Sequence, residues 1–196
     1  MDAVQSIALS AGLAWGSGLR LYAVLFAAGM LGSLGYLDLP AGLNILEHPL
    51  VLTATGLLFA LEFFADKIAG VDSVWDAFQT FIRIPAGAIL AALALGNHDP
   101  AIMLVAALLG GTLAAGTHAA KAGTRAVINT SPEPFSNVAA SFAEDALVAG
   151  GLYAALAHPW IFLILLAAFV LLLIWLLPRL WRGIRAVVAR IARAFG

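Results

Sequence analysis

The 196-residue chain contains no cysteine, which excludes disulfides, thiolate metal sites and cysteine nucleophiles. Charge is also scarce. Asp, Glu, Lys and Arg make up 11% of the residues, against roughly a quarter in an average soluble domain. No metal-ligand signature, nucleophile triad or glycine-rich phosphate loop occurs. Apolar residues instead reach 63%, with a mean hydropathy of +1.00. A soluble globule of this size has no interior large enough for that much apolar surface. Composition therefore excludes a soluble enzyme, a nucleic-acid binder and a disordered chain. It leaves an all-α, polytopic membrane protein.

A hydrocarbon core of about 30 Å needs about 20 apolar residues as helix. Marking the charges leaves six candidate spans: 3–37 (with Arg20), 49–65 (with Glu62), 84–97, 101–120 (with His118), 135–157 (with Glu144 and Asp145) and 160–178. Asp2 stands where a cleavable signal would carry positive charge, so the first helix is expected to be retained. The outer loops, among them 35–48 with Asp38 and Glu47, hold no Lys or Arg. Lys67, Arg83, Lys121, Arg125 and the tail arginines fall near the alternate ends. Lys and Arg concentrate on the cytoplasmic side. Six spans then put both termini in the cytoplasm.

The first segment is too long for one straight span, and Gly16-Ser17-Gly18 suggests a break into pieces over about 3–15 and 19–37. A similar glycine spot at 113–117 suggests a broken fourth span. Ala86–Ala94 resembles Ala149–Ala157, and Ala65–Gly70 resembles Ala119–Gly123, so spans two-three and four-five read as one helical hairpin used twice. Residues 1–178 form a single transmembrane domain. In the tail, 179–196, apolar residues share one helix face and five arginines the other. This pattern suits an interfacial helix on an anionic cytoplasmic leaflet.

Polar residues recur at helical spacing. His118, Lys121, Arg125 and Asn129 make one stripe, and Asp72, Asp76, Thr80 and Arg83 another. Glu133, Asn137, Ser141 and Glu144 make a third, with Asp145 beside it; Thr55, Glu62 and Asp66 make a fourth. Charges facing lipid are costly, so the stripes and Arg20 are expected to converge on one polar interior. Its members number seven acids (Glu62, Asp66, Asp72, Asp76, Glu133, Glu144, Asp145) and five bases (Arg20, Lys67, Arg83, Lys121, Arg125), with His118. That excess of carboxylates would favour a cation or a proton.

Together these motifs resemble a bacterial membrane-protein family known as domain of unknown function 4126. The resemblance rests on Glu62-Phe-Phe-Ala-Asp66-Lys67, Val71-Asp72-Ser73-Val74-Trp75-Asp76 and Phe81-Ile82-Arg83-Ile84-Pro85-Ala86-Gly87. It continues in His118-Ala-Ala-Lys121-Ala-Gly-Thr-Arg125, Asn129-Thr-Ser-Pro-Glu-Pro134, Ser136-Asn137, Glu144-Asp145 and Gly18-Leu19-Arg20. It implies a polytopic inner-membrane protein and carries no activity.

Three functions remain open. The first is a transporter or channel-like protein for a cation or proton-coupled solute. There Glu62, Asp66, Glu144 and Asp145, aided by Asn137, Asp72 and Asp76, would bind the ion, with Na⁺ or Mg²⁺ as candidates. Arg20, Lys67, Arg83, His118, Lys121 and Arg125 would be counter-charges, and a chain this small suggests a homo-oligomer. The second is a membrane-embedded enzyme or flippase whose bases hold a lipid phosphate. The third is a scaffold held by structural ion pairs.

Overall fold

The computed structural model describes residues 2–68, 70–96, 99–130 and 135–195, with side chains beyond Gly183 described only at Arg185. Among these residues there is no strand. The helices are α1 (Ala3–Ser33), a short 3-10 helix (Ala41–Glu47), α2 (Pro49–Ala65), α3 (Val71–Ala94), α4 (Pro100–Ile128), α5 (Phe135–Ala157) and α6 (Pro159–Phe195). Helices α2, α4 and α6 each start on a proline, whose missing N–H costs nothing in the first turn. His48 caps α2 and Asp99 caps α4, each accepting from a backbone N–H two residues on. All three begin at one end of the bundle and run the same way, because α4 and α6 pack in parallel register (Gly116 on Leu173, Gly123 on Leu180).

Helix α1 folds back on itself. Arg20, at φ −145° and ψ 75°, is its one non-helical residue. In a straight helix residues eight apart are separated by about 12 Å. Here a methyl group on Gly16 would lie 2.7 Å from Val24 Cγ2. The neighbours of each arm give its direction. In 3–19, Ser10 Oγ donates to the Ala91 carbonyl (2.8 Å), Gly12 meets Ala155 and Phe162, and Gly18 meets Ala114 and Thr117. This arm runs parallel to α4 and antiparallel to α5. In 21–33, Phe26 stacks on Phe59 and Gly29 touches Leu46, so this arm runs antiparallel to α2. Both arms therefore end at the end of the bundle where α2, α4 and α6 begin. The apex, Arg20, lies deep in the opposite half. The V is the heart of the molecule: Leu9, Leu13, Leu21 and Val24 are wholly buried and form the apolar core with Leu43, Leu90 and Leu152.

Several expectations are corrected. Four helices (α1, α3, α4 and α6 to Gly183) are long and apolar enough to cross a membrane, or five if the 3-10 helix and α2, bent by 71°, count as one. The six-span count is not reached, since α5 carries Glu144 and Asp145 and α2 has only 17 residues. The span expected at 84–97 begins a dozen residues earlier, because α3 runs unbroken from Val71 through Pro85. The first segment turns at Arg20, not at Gly16–Gly18, and α4 is not broken at all. Its small residues are packing surface: Gly110 seats Ala91, and Gly116 seats Leu173. The fold-back also puts the start of α1 and the end of α6 at opposite ends of the bundle. The tail continues α6 as helix through Pro178 to Phe195, mostly outside the residues with described side chains.

The close approach of the V to α4 depends on Gly18. An alanine methyl there would sit 2.6 Å from the Ala114 carbonyl oxygen and 2.8 Å from Thr117 Cβ. Gly18→Ala should destabilise the protein by about 1–3 kcal/mol. At Gly150, also helical, an added methyl meets nothing within 4 Å, so Gly150→Ala should be neutral or stabilising by up to about 1 kcal/mol. Thermal unfolding of the two variants in detergent checks the contrast.

Candidate functional site

The site forms where five helices meet at the level of Arg20. The apex of α1 supplies Arg20, and the end of α2 supplies Glu62 and Asp66. The first half of α3 supplies Asp76 and Arg83, the second half of α4 His118, Lys121 and Arg125, and the first half of α5 Asn137, Glu144 and Asp145. Arg20, Glu62, Asp66 and Arg83 are inaccessible to solvent. Burying charge without a partner costs several kcal/mol per ion, so such groups persist only as a network.

Arg20 joins three helices. Its Nη1 lies 2.8 Å from Asp66 Oδ2, and its Nε lies 3.1 Å from Asp145 Oδ1 and 3.8 Å from Glu144 Oε2. Nη2 donates to Ser141 Oγ (2.8 Å) and to the Ser141 carbonyl (3.1 Å). Lys121 reaches Asp66 Oδ2 at 2.6 Å, Asp76 Oδ1 at 3.3 Å and Glu144 Oε2 at 3.5 Å, and donates to the Leu19 carbonyl at 3.1 Å. That carbonyl stands at the break in α1. Interrupted helices inside a bundle survive when neighbouring groups take up the freed backbone positions. Arg125 grips Glu144 with two parallel bonds of 3.0 and 3.1 Å, a bidentate geometry that only arginine offers. Its remaining nitrogen, Nη1, donates to Asn137 Oδ1 and to the Asn137 and Asp66 carbonyls.

Arg83 bridges Glu62 Oε1 (2.6 Å) and Asp76 Oδ1 (2.8 Å). It also lies 3.1 Å from His118 Nδ1. A guanidinium has no acceptor, so Nδ1 accepts and the proton sits on Nε2. That Nε2 is 2.7 Å from Thr80 Oγ1, whose own hydroxyl donates to the Asp76 carbonyl (2.9 Å). At the rim, Lys67 leans its ammonium over the Phe63 ring (3.0 Å to the centroid) and toward Phe142, with Asp145 Oδ2 at 3.9 Å. Burial pulls the Lys67 ammonium below its ordinary range.

Of the expected residues, Arg20, Glu62, Asp66, Lys67, Asp76, Arg83, His118, Lys121, Arg125, Asn137, Glu144 and Asp145 come together. Asp72 does not join them. It sits at the start of α3, where Oδ1 accepts from the Gly70 and Ser73 backbone N–H groups and both oxygens accept from Asn129. Thr55 is buried but returns its hydroxyl to the Val51 carbonyl of its own helix. Glu133 lies outside the described residues. Among those described, five acids (Glu62, Asp66, Asp76, Glu144, Asp145) meet five bases (Arg20, Lys67, Arg83, Lys121, Arg125), so the expected surplus of carboxylates is absent from the network. No group of three or more His, Asp or Glu among the described residues is arranged to hold a metal. Sequence reasoning gave no role to Phe63 and Phe142, which carry no polar periodicity, or to the Leu19 carbonyl, which only the fold-back frees.

An all-helical chain with apolar segments of membrane-spanning length and a buried charge network belongs to the class of polytopic membrane proteins. Residues 7–179 match the family model described as Domain of unknown function (DUF4126), and the chain belongs to that family. No curated protein and no solved structure matches it.

Among the described residues, Arg83 alone holds Glu62 in a side-chain ion pair. Arg83→Met should cost about 3–5 kcal/mol by stranding a buried carboxylate. Adding Glu62→Gln should recover part of that loss, a coupling readable from thermal unfolding of the two single variants and the double variant.

Proposed function

We propose that the protein is a small integral membrane transporter for a cation or a proton-coupled solute, driven by exchange of partners within the charge network. The observation that carries this reading is the multiplicity of partners. Lys121 has three carboxylates within 3.5 Å, Glu144 has three bases within 3.8 Å, and Asp66 is shared by Arg20 and Lys121. At Lys121, Asp66 and Glu144 a group released by one partner is already beside another, so exchange among these three strands no charge. Since the described acids and bases of the network balance, one added proton or cation unbalances it and favours a new pairing. A proton fits the carboxylates better than a bare metal ion, given the absence of a three-ligand cluster among the described residues.

The proposal includes a bacterial inner membrane with the base-rich end in the cytoplasm, as Lys and Arg bias requires. It also includes a homo-oligomer and contact of the arginine-rich tail with anionic lipid. The lipid-phosphate reading is weaker, because every base in the network already has an acid. A structural scaffold remains the second reading, favoured by that same closure of charge.

Glu144 separates the two readings, because its side chain keeps 12% exposure at the rim. Under the transport reading, Glu144→Gln folds nearly normally. The parent protein gains thermal stability in detergent from Na⁺, Mg²⁺ or a pH shift, by mass action on the state that binds, and the variant loses this response. Misfolding of Glu144→Gln, with a parent protein indifferent to ions and pH, would establish the scaffold instead.

A further inference from the structure

The charge network is not sealed on the α3–α4 side. Ser73, Asp76, Ala77, Thr80, Ala122 and Ala126 line a groove of about 220 Å³ between these helices. It exists because the facing positions are small: two alanines on α4 oppose an alanine, a serine and a threonine on α3. The acidic residue lining it is Asp76, only 2% exposed. Asp76 Oδ1 serves both Arg83 and Lys121, while Oδ2 is buried with no hydrogen-bond donor among the described residues. A buried carboxylate oxygen left bare is costly, and Ser73, Asp76 and Thr80, set in a lining otherwise of alanine, offer water polar partners in a groove with room for it.

We propose that this groove is a water-filled port through which protons reach the network, with Asp76 as the carboxylate that exchanges them. The proposal rests on the proton-coupled reading above and names the site where coupling begins. A hydronium in the groove gives its proton to the Asp76 carboxylate and leaves as water. The carboxyl group is then neutral and loosens its hold on Arg83 and Lys121. Arg83 keeps Glu62, and Lys121 keeps Asp66 and Glu144, so neither base is stranded. Loss of the proton to groove water restores the first arrangement. The groups facing Asp76 are Arg83 and Thr80 from its own helix and Lys121 from α4, with His118 of α4 behind them on Arg83 and Thr80 and Glu62 of α2 reached through Arg83. The His118–Thr80 pair braces the wall of the port, since Thr80 lines the groove and also donates to the Asp76 backbone.

Because the chain has no cysteine, one introduced thiol reports on one position. In lipid vesicles, Ala122→Cys should react with a water-soluble maleimide at least about tenfold faster than Leu108→Cys on the apolar flank of α4, because only a hydrated thiol ionises readily. In pH-difference infrared spectra of the vesicles, a carboxylic C=O band should appear on acidification, be absent in Asp76→Asn and persist in Glu62→Gln. Attaching the maleimide to the thiol of the Ala122→Cys variant, on protein already folded, should slow that band after a pH jump. Equal labelling rates at the two positions, an unchanged band in Asp76→Asn, or an unchanged rate in the plugged protein would each overturn the port. Proton flux into dye-loaded vesicles separates this idea from transport itself. Flux that continues through the plugged groove overturns the port and leaves transport standing. A groove-dependent Asp76 band without flux upholds the port and removes transport.

Discussion

A guanidinium with no access to solvent sits where the first helix reverses, and the architecture around it follows from its needs. A guanidinium cannot face lipid cheaply. Arg20 therefore draws Asp66 from α2 and Glu144 and Asp145 from α5. Those acids in turn engage Lys121 and Arg125 of α4, and Lys121 extends the network to Asp76 and Arg83 of α3. The same reversal frees the Leu19 carbonyl, which Lys121 takes up. Fold and network are one constraint: the V delivers Arg20 to the acids, and the acids fix the depth at which the V turns.

Much of the charged site was legible before the fold was known, for a physical reason. Helical spacing is local, and the cost of exposing charge to lipid sends every polar stripe inward. Glu62, Asp66, Lys121, Arg125, Asp76 and Arg83 therefore had to find one another. The same logic misassigned Asp72, which shares a stripe with Asp76 but lies in the first turn, where backbone N–H groups satisfy it. Thr55 misled because a threonine hydroxyl can be satisfied within its own helix. Spacing says which face a residue occupies, not which partner it takes.

The path of α1 was not legible. Residues 3–33 have the length and hydropathy of a span, and Gly16-Ser17-Gly18 marks only that something unusual occurs nearby. The reversal is a tertiary fact, held by Gly16 against Val24 and by Gly18 against Ala114. The six-span count is not reached for another reason: marking charges passes α2, which has only 17 residues, and α5, which carries Glu144 and Asp145.

A chain of this size has room for few moving parts, and the V is flanked by apolar clefts on both sides. One runs along Trp15, Phe162 and Phe169, and the other along Ile7, Ala91 and Leu109. The fold-back of α1 is the central claim, and the distance between its ends tests it most directly. Nitroxide labels on Ala3→Cys and Ser33→Cys, read by pulsed electron spin resonance in vesicles, would lie about 45 Å apart along a straight helix. A folded-back α1 requires a distribution centred well below that separation. One centred near 45 Å would make α1 a simple span and contradict the shared origin of fold and charge network.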